Sequence, residues 1–294
     1  MDRREFFLGS AGLLLATACK APGHRLSVGT KNFTEQLVLG EILAQMLEHH
    51  TSTPVERRFY LAGTYICQQA ILAGRIDTYI EYTGTALAAV LKQLVQTDSK
   101  SVFETVQREY QQRFGLTVLP SLGFNNTFAL AVRGDDAKSM GLSKLSDLAA
   151  HAPQMRLGVG YEFLERADGF PGLAKTYGLK FAASPTVMDL GLLYRALEAK
   201  QVDIVAGSNT DGMIAALGLV ILQDDKNYFP PYDAVPIVRP DALRNTPGMR
   251  AALEQLSGRI NTEDMRRMNY AIDGRKQDAA DVARDFLTAS RLIS

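Results

Sequence analysis

"QQAILAGRIDTYIEYTGT", residues 68–85, is the stretch that decides how this chain folds. Its first part carries helix formers as far as Gly74, a residue type that commonly closes a helix. Residues 76–82 are rich in β-branched and aromatic side chains and read as a strand. The run then switches to Thr83, Gly84 and Thr85, with Thr85 placed to cap a helical stretch over residues 86–95. A second stretch, "YRALEAKQVDIVA" at 194–206, repeats the design: a helix end, a two-residue turn, and a strand that begins with Val202 and Asp203 as the first begins with Ile76 and Asp77. Both strands run into small polar residues, "YTGT" in one case and "SNTDG" (208–212) in the other. In open α/β sheets ligands bind beyond the carboxyl ends of strands, where helix N-termini offer free N–H groups. One such end in each half suggests two lobes facing each other across a cleft. The competing reading is that both are common helix-to-strand turns.

Outward from these two points, strand and helix signals alternate. Residues 25–30 read as a strand, and 35–50 as a helix with Leu39, Leu43, Met46 and Leu47 at helical spacing. A strand at 55–59 and a helix at 64–74, with Thr64 as its N-cap, complete the first unit. Further helices are expected at 102–114, closed by Gly115, and at 144–150, with strands at 116–119, 128–133, 156–159, 202–206 and 234–238. From Pro247 onward the pattern is helical, with Thr262 capping one helix and Asp278 opening the last. Such alternation implies an α/β protein with largely parallel sheets. At 294 residues the chain has room for one large or two medium domains.

Composition removes several function classes. Lys and Arg number 32, Asp and Glu 32, so the net charge is zero and there is no electrostatic footprint for nucleic acid or an anionic membrane surface. The N-terminal 25 residues read as targeting: Arg3 and Arg4 precede an apolar run over 6–18 that is too short to span a bilayer. "RREFF" resembles a twin-arginine export signal, and "ATAC" ending at Cys19 resembles a bacterial lipoprotein cleavage box, with simple cleavage near Ala18 as the alternative. The mature protein is expected outside the cytoplasm, periplasmic or held to the membrane through a lipid on Cys19. Beyond Cys19 only Cys67 remains, which excludes an intrachain structural disulfide and reads as a small core residue.

"VGTKNFTEQLVLGEIL" (28–43), "IEYTGTAL" (80–87), "GFNNTFAL" (123–130), "ADGFPGLAKTYGL" (167–179), "TDGMI" (210–214), "DDKNYFPPYDAVPIV" (224–238) and "MNYAIDG" (268–274) together resemble the signature stretches of one family. It is the family of substrate-binding proteins for quaternary ammonium compounds, the glycine betaine, choline and carnitine receptors of osmoprotectant ABC importers. The resemblance implies a two-lobed, type II periplasmic-binding-protein fold with a ligand cleft between lobes joined by two crossovers. It assigns residues 26–125 plus 234–294 to one lobe and 126–233 to the other, with residues 1–25 as signal peptide and linker. Crossovers would fall near 124–127 and 230–235, the second stiffened by Pro230 and Pro231. A monomer that delivers its ligand to an ABC permease, without a cofactor or metal, is what the family implies.

The resemblance also assigns site residues. A trimethylammonium group donates no hydrogen bond, so aromatic faces and apolar contact must hold it. Tyr82, Phe128 and Tyr232 match three walls of the family's aromatic cage; Thr85 matches a ligand-side hydroxyl, and Lys31 and Arg166 match groups that hold the ligand carboxylate. Ser208 stands where betaine binders have a fourth ring. Its small side chain either weakens a simple betaine or makes room for a larger ligand such as carnitine or ergothioneine. A receptor for another zwitterion, using Lys31 and Arg166 with the cage unused, is a second reading. An enzyme is a third, but no GxSxG, P-loop, HExxH, zinc-type cysteine spacing or complete GxGxxG supports it. A carboxylate pair such as Asp77 and Glu81, at i and i+4 on one face of the opening strand, is what an acid–base enzyme would use.

Overall fold

A computed structural model describes residues 25–294. The readings of an export signal and of lipidation at Cys19 therefore lie outside the described residues. Ten strands form two five-stranded sheets among the described residues. They are β1 (Leu26–Gly29), β2 (Val55–Arg58), β3 (Thr78–Tyr82), β4 (Thr117–Val118), β5 (Phe128–Arg133), β6 (Leu157–Val159), β7 (Thr186–Val187), β8 (Ile204–Ser208), β9 (Leu219–Ile221) and β10 (Ala234–Val238). The first sheet has the order β2-β1-β3-β10-β4 and the second β7-β6-β8-β5-β9. The two stretches that opened the sequence reading end in β3 and β8, which occupy the same place in their sheets. Each lies between a parallel neighbour, β1 or β6, and an antiparallel one, β10 or β5.

The sheets are mixed rather than largely parallel. β10 runs antiparallel to β3 and β4, and β5 runs antiparallel to β8 and β9. The physical reason is connectivity: β5 and β10 are the first strands after the chain passes from one sheet to the other, and each enters opposite to its neighbours. The two passing segments lie side by side, with an antiparallel bridge between Asn125 and Asp233 and an Asn126 N–H to Tyr232 carbonyl hydrogen bond of 3.0 Å.

The Thr34–Thr51 helix shows what holds the first sheet down. Val38, Leu39, Ile42, Leu43, Met46 and Leu47 are all fully buried, each contributing about 1.5–3 kcal/mol of transfer free energy. The same helix packs against Met249–Glu254, Thr262–Asp273 and Ala279–Ala289, so the C-terminal helices belong to the first sheet's layer. No helix among the described residues is long and apolar enough to cross a membrane.

Three helix starts differ from expectation. Thr85 is not an N-cap: Thr83–Thr85 is already helical, Tyr82 stands at the cap position, and a π-type turn over Ala86–Val90 ends the run well before residue 95. The Thr83 hydroxyl, which would otherwise serve the helix, lies between the Pro231 carbonyl and the Asp233 amide at 3.1 and 3.0 Å. Thr64 lies inside its helix, Thr64–Leu72, and its amide is capped by Glu162 from the other sheet's layer at 2.7 Å. Asn261, not Thr262, caps the Thr262–Asp273 helix through a reciprocal box with Asp264. The Asp278 and Gly115 assignments agree with the structure.

Candidate functional site

The carboxyl ends of β3 and β8 and the two passing segments converge on one region. Tyr82 ends β3 and Ser208 ends β8, while Tyr232 lies two residues before Ala234, the partner of Tyr82 across β3 and β10. Phe128 opens β5 and pairs with Ser208 in the ladder. Gly84 is obligatory here, because a Cβ at that position would stand 2.7 Å from the Pro231 carbonyl oxygen and 2.8 Å from the Tyr232 ring. The backbone of "YTGT" therefore sits directly against the aromatic ring it helps to frame.

Four of the expected residues form one cluster. The Phe128 and Tyr232 rings meet edge to face, with centroids 5.5 Å apart and planes at 77°. The Arg166 guanidinium lies 5.1 Å from the Phe128 centroid and 5.9 Å from that of Tyr232. Its Nη2 donates to the Thr85 hydroxyl at 3.1 Å and, with Nε, forms a two-pronged pair with Asp168. Tyr232 donates its hydroxyl to the same Asp168 carboxylate at 2.8 Å. Arg166 and Asp168 are both buried, so the guanidinium is no surface ion pair. Phe163 and Phe229 back the Phe128 ring at 4.8 and 5.8 Å.

Tyr82 and Lys31 belong to an adjoining cluster. The Lys31 ammonium lies 4.9 Å from the Tyr82 ring centroid and is ion-paired with Glu81, both groups being buried. Glu81, first a candidate for acid–base work, is thus the counter-ion of Lys31. Asp77 is structural as well: it accepts from the Ser27 amide and hydroxyl and pairs with Arg239. The Tyr82 hydroxyl donates to Glu35 at 2.6 Å and accepts from Gln36 at 3.0 Å. Burial pushes the Glu35 carboxyl above the usual range, against the lowering effect of its hydrogen bonds.

Ser208 reaches this second cluster through a relay. Its hydroxyl donates to Asn126 Oδ1 at 2.5 Å, and Asn126 Nδ2 donates in turn to Glu35 at 2.6 Å. Glu35, Gln36, Asn126 and Asp168 were not singled out from the sequence. Each nevertheless lies inside a quoted motif, "FTEQ", "FNNT" or "ADG", so reading every polar member of those motifs would have found them. Cys67 is fully buried, and desolvation pushes its thiol up to about 12, which suits a core residue.

Comparison with known proteins adds a family. Residues 24–289 match the OpuAC family, described as the substrate binding domain of ABC-type glycine betaine transport system. The chain is 38% identical over 283 residues to the ergothioneine transport permease/ergothioneine binding protein EgtU of Helicobacter pylori (strain G27), a match covering 96% of this chain and 50% of that one. It thus spans about half the length of that curated relative. It is 34% identical over 282 residues to the carnitine transport binding protein OpuCC of Listeria monocytogenes serotype 1/2a (strain 10403S), covering 93% and 91%. Among solved structures, the crystal structure of a glycine betaine/carnitine/choline ABC transporter superposes with a TM-score of 0.75 at 33% identity, covering 92% of this chain and all of that one. The fold is that of the two-lobed type II periplasmic binding proteins.

Proposed function

Since the chain belongs to the family of substrate-binding domains of ABC-type glycine betaine transport systems, we propose that it is an extracytoplasmic receptor that closes around a quaternary ammonium compound and delivers it to a membrane permease. Residues 26–125 plus 234–294 form one lobe in this reading and 126–233 the other. The observation that carries it is the aromatic corner of Phe128 and Tyr232 with a buried guanidinium already against both rings. A site whose ring faces hold one cation in a water-poor setting is chemically suited to a second, unprotonatable one, each ring being worth about 0.5–2 kcal/mol. Tyr82 supplies the third wall. Arg166, Lys31 and Thr85 supply donors for a carboxylate, which requires Arg166 and Lys31 to share themselves between Asp168 or Glu81 and the ligand.

Ser208 favours a larger ligand than glycine betaine. Its side chain forms a polar edge, with Asn126 and Thr210 beside it at 2.5 and 3.4 Å, where a fourth ring would present an apolar face. A betaine with an added polar group, as in carnitine or ergothioneine, matches such an edge, and relatives named for both compounds support this choice. Attachment through a lipid on Cys19 and a monomeric state complete the proposal.

A thermal-shift panel of glycine betaine, choline, carnitine, proline betaine and ergothioneine tests the reading. A ligand at 100 times its Kd adds about 2.7 kcal/mol to the native state, which raises the melting temperature by several degrees. Carnitine or ergothioneine is expected to give the largest shift, and Tyr82→Ala to reduce it. No shift with any of the five at millimolar concentration overturns the proposal.

A further inference from the structure

We propose that an exposed apolar lip straddling the two lobes is the surface by which the closed receptor docks on its membrane permease. This rests on the reading of the protein as a receptor that hands its ligand to a permease. Tyr60, Tyr65 and Ile66 contribute from the first lobe and Tyr161, Leu190 and Leu192 from the second, with exposures from 37% at Leu190 to 61% at Tyr161.

The two halves are brought together by direct contact across the seam. Glu162, next to Tyr161, accepts the amide hydrogen of Thr64, next to Tyr65, at 2.7 Å. A Cβ on Gly63 would stand 2.0 Å from that carboxylate, so the approach is as close as backbone allows. Burial and then the Asp189 carboxylate, which caps the Leu190–Leu192 turn, push the Tyr60 phenol up; a hydrogen bond to Glu165 and the neighbouring Tyr65 phenol do so for Tyr161. Parting the lobes would break these contacts and split the patch into two smaller pieces. The intact patch is therefore a property of the closed form.

Backbone strain marks the same place. Tyr60 has φ of +62° and Ala62 +104°, in a region that side-chain-bearing residues rarely adopt. The segment is held there by the Tyr60 amide donating to the Thr30 hydroxyl at 2.9 Å and the Leu61 amide to the Thr30 carbonyl at 3.0 Å. Such strain of order 1–3 kcal/mol persists where surrounding structure enforces it and is concentrated at functional sites. What it achieves here is to hold an aromatic ring out in solvent, an arrangement that costs apolar exposure and serves a partner.

The rim selects the partner. Glu165 and Asp189 border the patch beside Tyr161 and Tyr60, while Glu162 is paired with Arg166 at 3.6 Å and Arg58 with Glu56. An acidic border repels an anionic lipid surface and suits a protein face carrying apolar and basic side chains. Tyrosines with aliphatic neighbours inside a charged rim are the composition of a protein interface. A partner that reads both lobes together distinguishes closed receptor from open, which is what a permease awaiting cargo requires.

Photo-cross-linking in the source cells tests this, using full-length protein with a benzophenone amino acid in place of Tyr65 or Leu192. The expected product joins the receptor to a multi-span permease subunit, from both positions, and increases when the panel ligand that raises the melting temperature is supplied. Cross-links to a second copy of this chain, to lipid, or to nothing overturn the proposal. In parallel, Ile66→Glu and Leu192→Glu are expected to leave ligand affinity and melting temperature unchanged while lowering uptake about tenfold or more, the scale of a lost hot spot. Unchanged uptake by both variants overturns it. Failure of the receptor reading shows differently, as absence of ligand binding by the unaltered protein.

Discussion

At the scale of single residues, Asp168 is the group on which the aromatic corner depends. It neutralises Arg166, accepts from Tyr232, and is itself fully buried. Removing one partner of a buried ion pair leaves an uncompensated charge, which typically costs about 3–5 kcal/mol. Asp168→Asn is expected to lose stability on that scale in urea unfolding, because the amide removes the charge and keeps only one acceptor oxygen, placing an N–H donor among the donors of Arg166 and Tyr232. It should also lower ligand affinity, since Arg166 and Tyr232 lose their common anchor. Unfolding midpoint and slope measured with and without ligand separate the two effects. Asp168 sits in a motif that was visible in the sequence, and its neighbour Arg166 was picked out there. The carboxylate was missed because its partner Tyr232 is 64 residues away, a distance that only the fold closes. The relay from Ser208 to Asn126 spans 82 residues and was hidden for the same reason.

At the scale of elements, most strand positions were legible, β7 and β9 excepted, and the starts at Thr64, Thr85 and Thr262 were not, though Asp278 was. The strands carry their own signal in alternating and β-branched residues, so β3, β5 and β10 fall close to where periodicity put them. Helix starts depend on who satisfies the first free amides, and here the partners come from elsewhere in the chain. Glu162 caps Thr64 from 98 residues away, and the Thr83 hydroxyl is bound to the return crossing. Strand direction was misjudged because alternation of elements says nothing about a chain that changes sheets. The turn after β3 yields a sharp prediction. Gly84→Ala places a Cβ against the Pro231 carbonyl and the Tyr232 ring, neither of which can swing aside. Overpacking of this kind costs about 1–3 kcal/mol, so the variant should melt lower. Because Tyr232 is displaced, ligand binding should weaken more than the melting temperature alone implies. Titration calorimetry of the folded variant reads that excess directly.

At the scale of the whole molecule, the carboxylates on the seam predict a link between closure and proton uptake. Glu35 stands on the Thr34–Thr51 helix of the first sheet's layer, yet it accepts from Asn126 at the crossing, and Asn126 in turn bonds Thr210 beyond β8. Asn269 ties the same carboxylate to the Thr210 carbonyl. Asp211, the next residue, is half-buried and pushed up to about 7 by desolvation, with Glu35 and Asp273 adding repulsion. Opening the lobes would expose Glu35 to water and relieve its repulsion of Asp211, lowering both values. A carboxyl whose value is higher in the closed form keeps its proton better there. The closed form is then favoured fully at pH below the open-state value and loses that advantage as pH rises through the closed-state value. For Asp211 that advantage is lost as pH rises through about 7. In the receptor reading proposed above, where ligand binding closes the lobes, binding should therefore take up protons near pH 6 and weaken as pH rises toward neutrality. Calorimetry in two buffers of different ionisation enthalpy measures the uptake; Asp211→Asn, which retains an acceptor for the Ser208 amide, should reduce it, and an affinity that is flat from pH 5 to 8 contradicts the linkage.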